Sequence, residues 1–463
     1  MRVLKTAGWI GLLPFMSLAT TTPPGEPAMV GFRGNGSGIY SARNIPTTWD
    51  IASGKNILWS APLPECALSE PISIAGKVFV CCEPELLVCY DATTGKELWK
   101  VTASALDGEP RDKQEKAQEI LKNIIAHWKS GADMPKEKTD PLTIQIDSLK
   151  KDFGIEPLRN WLFGWQGYAY NTPFSDGHLV WVRFGTGSVG CYELEGRRVW
   201  LKRVSNKGGI NVLSSQMLVI KGKVIFVESI PPDKRAGTPA LYKLTGLDAN
   251  TGEETWHSKP FPPGDHSWAS GVTVVHVGGT AYVVTSGGQI IDPDSGEIVG
   301  EKFGNWGYCQ TVYAADGAIY FGPQRIRLKR DGARIVSDDP LPTGKTADRV
   351  VAYDGKVYVA KPDSLNCFDP STPLGEQKTW PKLTYNIPGD KTMKDYRVTP
   401  IIADGLLFCP AAAGKLVVVK PGAKPEIQAT NSFPAPITAS PFASEGRLFV
   451  RTTTTLYCIS QSQ

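Results

Sequence analysis

Few residues in this sequence combine the types and the spacing that catalysis or metal binding needs. The five histidines, His127, His178, His257, His266 and His276, are scattered without metal-ligand spacing. Asp265-His266-Ser267 sets an acid, a base and a hydroxyl side by side, but consecutive residues do not form a nucleophilic triad by themselves. Gly344-Lys345-Thr346 resembles the end of a phosphate loop, yet Asp339 stands in the place of its first glycine and no strand-to-helix context surrounds it. Asn35-Gly36-Ser37 is an acceptor sequon that reads as an incidental flexible turn. The chain also has nine cysteines, two of them adjacent, Cys81 and Cys82. No catalytic residue and no metal ligand is assigned, and the elements that position these side chains have to be read first.

The length of 463 residues suggests about three domains. Glycine (47) and proline (36) demand frequent turns, and 41% hydrophobic against 21% charged residues excludes wholesale disorder. A net charge of +4 is too small and too dispersed to imply a nucleic-acid partner. Arg2 and Lys5 precede the apolar stretch 7–19, which ends in Ser17-Leu18-Ala19 and has the layout of a secretory signal. Residues 1–19 are therefore expected to be removed on export to the periplasm or the exterior. No later stretch is long enough to span a bilayer, so the mature chain is expected to be a soluble monomer.

Self-similarity organises the remainder. Ser69–Trp99 reads as four short strands, with turns at Gly76-Lys77 and Thr94-Gly95, closing on Trp99. The pattern recurs at Thr172–Trp200, and again at Ser214–Ile230 with Leu241–Trp256; the turn glycines Gly95, Gly196 and Gly252 each lie four residues before a tryptophan. The first-turn glycine repeats at Gly76, Gly177, Gly222, Gly279, Gly317, Gly355, Gly405 and Gly446. After a long first interval, the spacing is that of one propeller blade. The eighth unit lacks an outer strand, and 56–60 resembles the missing piece, with Trp59 in the place of Trp99. The expected fold is all-β: an eight-bladed propeller of four-stranded antiparallel blades over 56–463, closed by an N-terminal strand and preceded by an extended segment at 20–55. The long interval holds an insertion, 103–160, whose apolar periodicity predicts helices over 112–129 and 142–153. Packing of their apolar faces on the parent domain is favoured over a partner.

Cys89-Tyr-Asp91-Ala-Thr-Thr-Gly95-Lys-Glu-Leu-Trp99 and Leu247-Asp248-Ala-Asn-Thr-Gly252-Glu-Glu-Thr-Trp256 resemble the tryptophan-docking repeat of the pyrroloquinoline-quinone-like (PQQ-like) propellers. That family includes quinoprotein dehydrogenases and the propeller of the bacterial outer-membrane barrel assembly machinery. The opening phrase 32–38, FRGNGSG, is similar to that of exported members. The resemblance implies that Trp59, Trp99, Trp200 and Trp256 tie neighbouring blades together. It also offers a precedent for a disulfide between Cys81 and Cys82, although adjacent side chains in a regular strand point to opposite faces, which favours two thiols. Cys89, Cys191, Cys367 and Cys458 fall at one third-strand position and Cys409 in a second strand, so these five read as core thiols. Residues leading into first strands line a propeller's mouth, here Glu70, Asn171, Trp268, Trp306, Tyr308, Arg349, Tyr396 and Arg397. They can cradle an anionic or planar ligand or simply plug the channel. A dehydrogenase of this family would bind PQQ and calcium, but no segment matches its catalytic motifs, so neither cofactor is assigned. The favoured function is a non-enzymatic binding or scaffolding propeller with a protein partner or a small ligand at its mouth. The alternative is a PQQ-dependent dehydrogenase of alcohols or sugars.

Overall fold

The computed structural model describes residues 29–130, 135, 137–157, 167–205, 216–233, 235, 237–262, 271–300, 312–315, 317–321, 324–339, 349–370, 383–385 and 398–461. Alternating apolar strands and tight turns build eight blades of four antiparallel strands, consecutive in sequence in seven of them, joined in one ring. Blade 1 shows the plan: an inner strand Ile72–Ile74, then Lys77–Cys82, Leu86–Asp91 and the outer Glu97–Thr102. The middle strands are buried on both faces, being packed between neighbouring blades. Blades 2 to 7 span 174–203, 218–257, 272–300, 313–337, 350–384 and 401–432. The turn from inner to second strand explains the repeating glycine. In six blades both turn residues have positive φ, as in Asp404-Gly405 (51° and 73°). That is the type I′ geometry whose twist matches a hairpin.

The sequence-derived eight-bladed reading holds, and so does its closure. Blade 8 combines 442–460 with the N-terminal strand Ile57–Pro62, which pairs antiparallel with Thr455–Ser460 and sets Trp59 opposite Cys458. The two ends of the chain thus share a sheet, and no edge is left at the seam.

Trp59, Trp99, Trp200 and Trp256 each dock on the following blade. Each indole Nε1 donates to a turn carbonyl there: Trp59 to Ala92 (3.0 Å), Trp99 to Leu194 (2.9 Å), Trp200 to Ala249 (3.0 Å) and Trp256 to Pro293 (3.0 Å). Each ring lies on that turn's glycine, so a Cβ on Gly95 would fall 2.6 Å from Trp59, and one on Gly252 would fall 2.7 Å from Trp200. Asp91 and Asp248 shape these turns by accepting the N–H groups two and three residues ahead.

The insertion forms helices α1 (Arg111–Lys129) and α2 (Pro141–Phe153), between blades 1 and 2. Asp140 caps α2, Pro141 occupies its first turn, and Gly154 ends it in the left-handed conformation. Ile120, Leu121, Ile124 and Trp128 of α1 pack with Ile146, Leu149 and Phe153 of α2 and with Tyr168, so the apolar faces are covered within the chain. No described helix is long and apolar enough to cross a membrane.

Candidate functional site

Inner strands all begin on one face of the ring, here the upper face, and turn on the lower face. The extended segment ahead of the closing strand enters this channel. Val30 exchanges two 2.8 Å backbone hydrogen bonds with Ser175, next to the lower turn of blade 2. The chain then climbs to Arg33 at the upper end and reverses through glycines. It descends with Ile39–Tyr40 parallel to Ile402–Ala403 of blade 7, making that sheet five-stranded. Asn44 N–H donates to Asp404 at the lower turn (2.8 Å). Residues 30–44 therefore form an arm folded up into the axis. The glycine-rich phrase exists for this reversal: Arg33 and Gly34 both have positive φ, and a Cβ on Gly38 would lie 2.5 Å from the Arg33 guanidinium.

Arg33 is the head of the arm and is 4% exposed. Its Nη2 donates to Val350 O of blade 6 (2.8 Å), and the guanidinium lies 4.7 Å from the ring centre of Tyr313 in blade 5. Its backbone N–H donates to Glu70 Oε2 at the head of blade 1 (2.6 Å). Burial pushes the Glu70 carboxyl up to about 7, against the pull of that hydrogen bond, and lowers the affinity of Arg33 for its proton. Tyr40 packs edge-on against Phe442 of blade 8 (5.0 Å). The arm leaves buried polar atoms without hydrogen bonds: Glu70 Oε1, Arg33 Nε and Tyr40 OH. At the lower face a cleft of about 600 Å³ separates its two legs, lined by Val30, Tyr40, Arg43, Phe442 and Glu445 among others.

The upper mouth residues expected from sequence divide accordingly. Glu70 meets the arm instead of an open mouth. Asn171 is fully buried, with no hydrogen bond to either amide atom. Arg349 is buried and precedes the carbonyl that receives Arg33. Trp268, Trp306, Tyr308, Tyr396 and Arg397 lie outside the described residues. Cys81 and Cys82 are free, buried thiols in regular register opposite Leu87 and Leu86. Cys89, Cys191, Cys367, Cys409 and Cys458 are likewise free and buried; Cys309 lies outside the described residues.

A second group of buried charges on the upper face has no counterpart in the sequence reading. Glu83 accepts the backbone N–H of Tyr168 (3.0 Å) and Ala169 (2.9 Å), where the chain returns from the insertion, and burial raises its carboxyl to about 8. Glu85 accepts Ala105 N–H (2.8 Å) and Gln118 Nε2 (2.7 Å), where the chain departs, and burial raises its pKa too. The two acids of Glu83-Pro84-Glu85 thus anchor both ends of the insertion. Arg451 of blade 8 donates to Ser69 O and Cys81 O of blade 1, at 3.2 and 2.6 Å. Arg183 of blade 2 donates to Val227 O of blade 3 at 3.3 Å. Cys81, Arg183, Val227 and Arg451 share one place in their second strands, so the two arginines clasp the next blade at equivalent carbonyls. Aligning second strands would have exposed that equivalence.

The ring, its docking tryptophans and their turns are those of an eight-bladed β-propeller, and the comparisons support a PQQ-like one. The family model described as outer membrane protein assembly factor BamB matches residues 160–303. Among solved structures, BamB from Moraxella catarrhalis is 11% identical, with 87% of this chain and 99% of that one covered at a TM-score of 0.50. A quinohemoprotein alcohol dehydrogenase from Comamonas testosteroni is 12% identical, covering 94% and 81% at a TM-score of 0.44. A europium-containing methanol dehydrogenase is 10% identical, covering 94% and 98% at 0.47. At such identities the likeness is one of fold. No curated protein sequence matches the chain.

A planar quinone with calcium would need open space on the axis and several converging oxygen ligands. The described residues do not fit that pair. The arm occupies the upper end of the axis, Arg33 sets a cation near Glu70 there, and no three His, Cys, Asp or Glu side chains gather among the described residues.

Proposed function

We propose that this chain is an exported, non-enzymatic binding or scaffolding propeller that works through its surfaces. The arm on the axis carries this reading, since a ring plugged by its own chain has its outer faces, rather than its centre, to offer a partner. The matching family is described as an assembly factor, a role filled by protein contacts. The anchored insertion is the natural contact surface, because its helices bury their apolar faces internally and present a charged exterior on the upper face. Anaerobic reconstitution of the full chain with pyrroloquinoline quinone and calcium tests the reading. It predicts no bound-quinone spectrum and no dye-linked oxidation of alcohols or sugars, and the appearance of both would establish the dehydrogenase instead. Deleting 107–152 should leave a folded ring that no longer captures its partner in pull-downs. An unchanged set of captured proteins would remove the insertion from that role.

A further inference from the structure

We propose that the upper end of the axial channel is a guanidinium-binding site, filled in cis by Arg33. Three different blades supply its wall: the Val350 carbonyl at 2.8 Å, the Tyr313 ring at 4.7 Å and the Glu70 carboxyl, which accepts the Arg33 backbone N–H at 2.6 Å. A carbonyl in line with an N–H and an aromatic face beside the ion suit a planar cation with directed donors. An ammonium group has neither the flat face nor the fork. Because Arg33 is 4% exposed, water contributes little and the wall must hold the charge.

The site also has more hydrogen-bonding capacity than its resident uses. Glu70 Oε1 accepts nothing and Arg33 Nε donates to nothing, since the side chain is tethered to a backbone whose own N–H already holds Oε2. An untethered guanidinium ion can turn to reach an acceptor that the tethered one leaves unpaired. The site therefore takes free guanidinium, or an arginine side chain of another molecule, whenever Arg33 is absent. This inference stands apart from the proposed scaffolding role and concerns only the ring and its arm.

Chemical rescue tests it. In the full chain, Arg33→Ala should lower Tm by several degrees. Low-millimolar guanidinium chloride, far below denaturing concentrations, should restore more than half of that loss with saturation. Equal concentrations of sodium chloride or urea should not. Adding Glu70→Gln to Arg33→Ala should weaken guanidinium binding about tenfold by calorimetry, as loss of a charge-assisted contact implies. Absent rescue, which would mean that water alone fills the space, overturns the proposal, and so does equal rescue by sodium. Should Arg33→Ala fail to fold, Arg33→Lys decides selectivity: it keeps the charge without the fork and should still lose Tm, whereas an unchanged Tm sinks the claim. In the native chain, amide hydrogen exchange of 30–40 should be as slow as in the inner strands. Fast exchange would show that the arm does not hold the site.

Discussion

Glu70 and Glu83 hold their protons more tightly than free glutamates because burial penalises the charged form, placing them at about 7 and about 8 against an ordinary value of 4.5. The sign of the linkage follows. A pKa raised on folding means that the native state binds more protons, so the stability from these groups is complete below about 4.5 and is lost as pH rises through 7 and 8. Asp91 and Asp248 are shifted the opposite way by hydrogen bonds from Thr94 and Thr251, and their contribution fades only as pH falls below the ordinary carboxylate range. The Tm of the full chain should therefore climb as pH is lowered from about 9 to about 5, and Glu83→Gln should flatten the upper part of that climb; a level profile would contradict the assignment. Gly167→Ala would set a Cβ 2.1 Å from Glu83 Oε1, an overpacking expected to cost about 1–3 kcal/mol by urea unfolding. The sequence reading picked out Glu70, Asp91 and Asp248 by position but not the roles of Glu83, Glu85 and Arg33. Glu83, Glu85 and Arg33 bind backbone groups of distant segments, and a backbone partner leaves no mark on residue type.

At the scale of the element, the blade was the most legible unit, because a type I′ turn demands glycine and a docked indole demands a glycine beneath it. Those constraints printed Gly76 and its five type I′ counterparts, and the pairing of Trp59, Trp99, Trp200 and Trp256 with later turns. Both helices were readable to within one residue at their starts, from apolar spacing and from Gly154. The arm was readable only as a phrase. It occurs once, so no repeat could be aligned with it, and its hydrogen bonds include partners 317 and 360 positions away. Its glycines announced a tight reversal without saying where. The docking account predicts a sharp contrast between neighbours: Trp59→Ala, which removes a buried ring and its bond to Ala92, should cost about 3–5 kcal/mol, whereas Leu58→Ala, at an exposed position, should fall within about 0.5 kcal/mol of the parent. Equal losses in denaturant titrations would refute it.

Across the whole molecule, the seam between blades 8 and 1 is fastened in three unlike ways. The closing strand, the Trp59 dock and the Arg451 clasp all meet there. Arg451→Met should remove the side-chain donor to Ser69 O and one of the two donors to Cys81 O, the other being Ser69 Oγ, and should cost about 1–3 kcal/mol by urea unfolding, more than Leu58→Ala at its exposed position. A reversed ranking would remove the clasp from the seam's fastenings. The closing strand also imposes an order in time. Residues 57–62 are synthesised before their partner, Thr455–Ser460, with seven blades between them. Contacts of such sequence separation form slowly and late. Until the final blade emerges from the ribosome, the first strand is an unpaired edge and the arm has no finished channel to occupy, so the nascent chain is most open to aggregation and to chaperones in that interval.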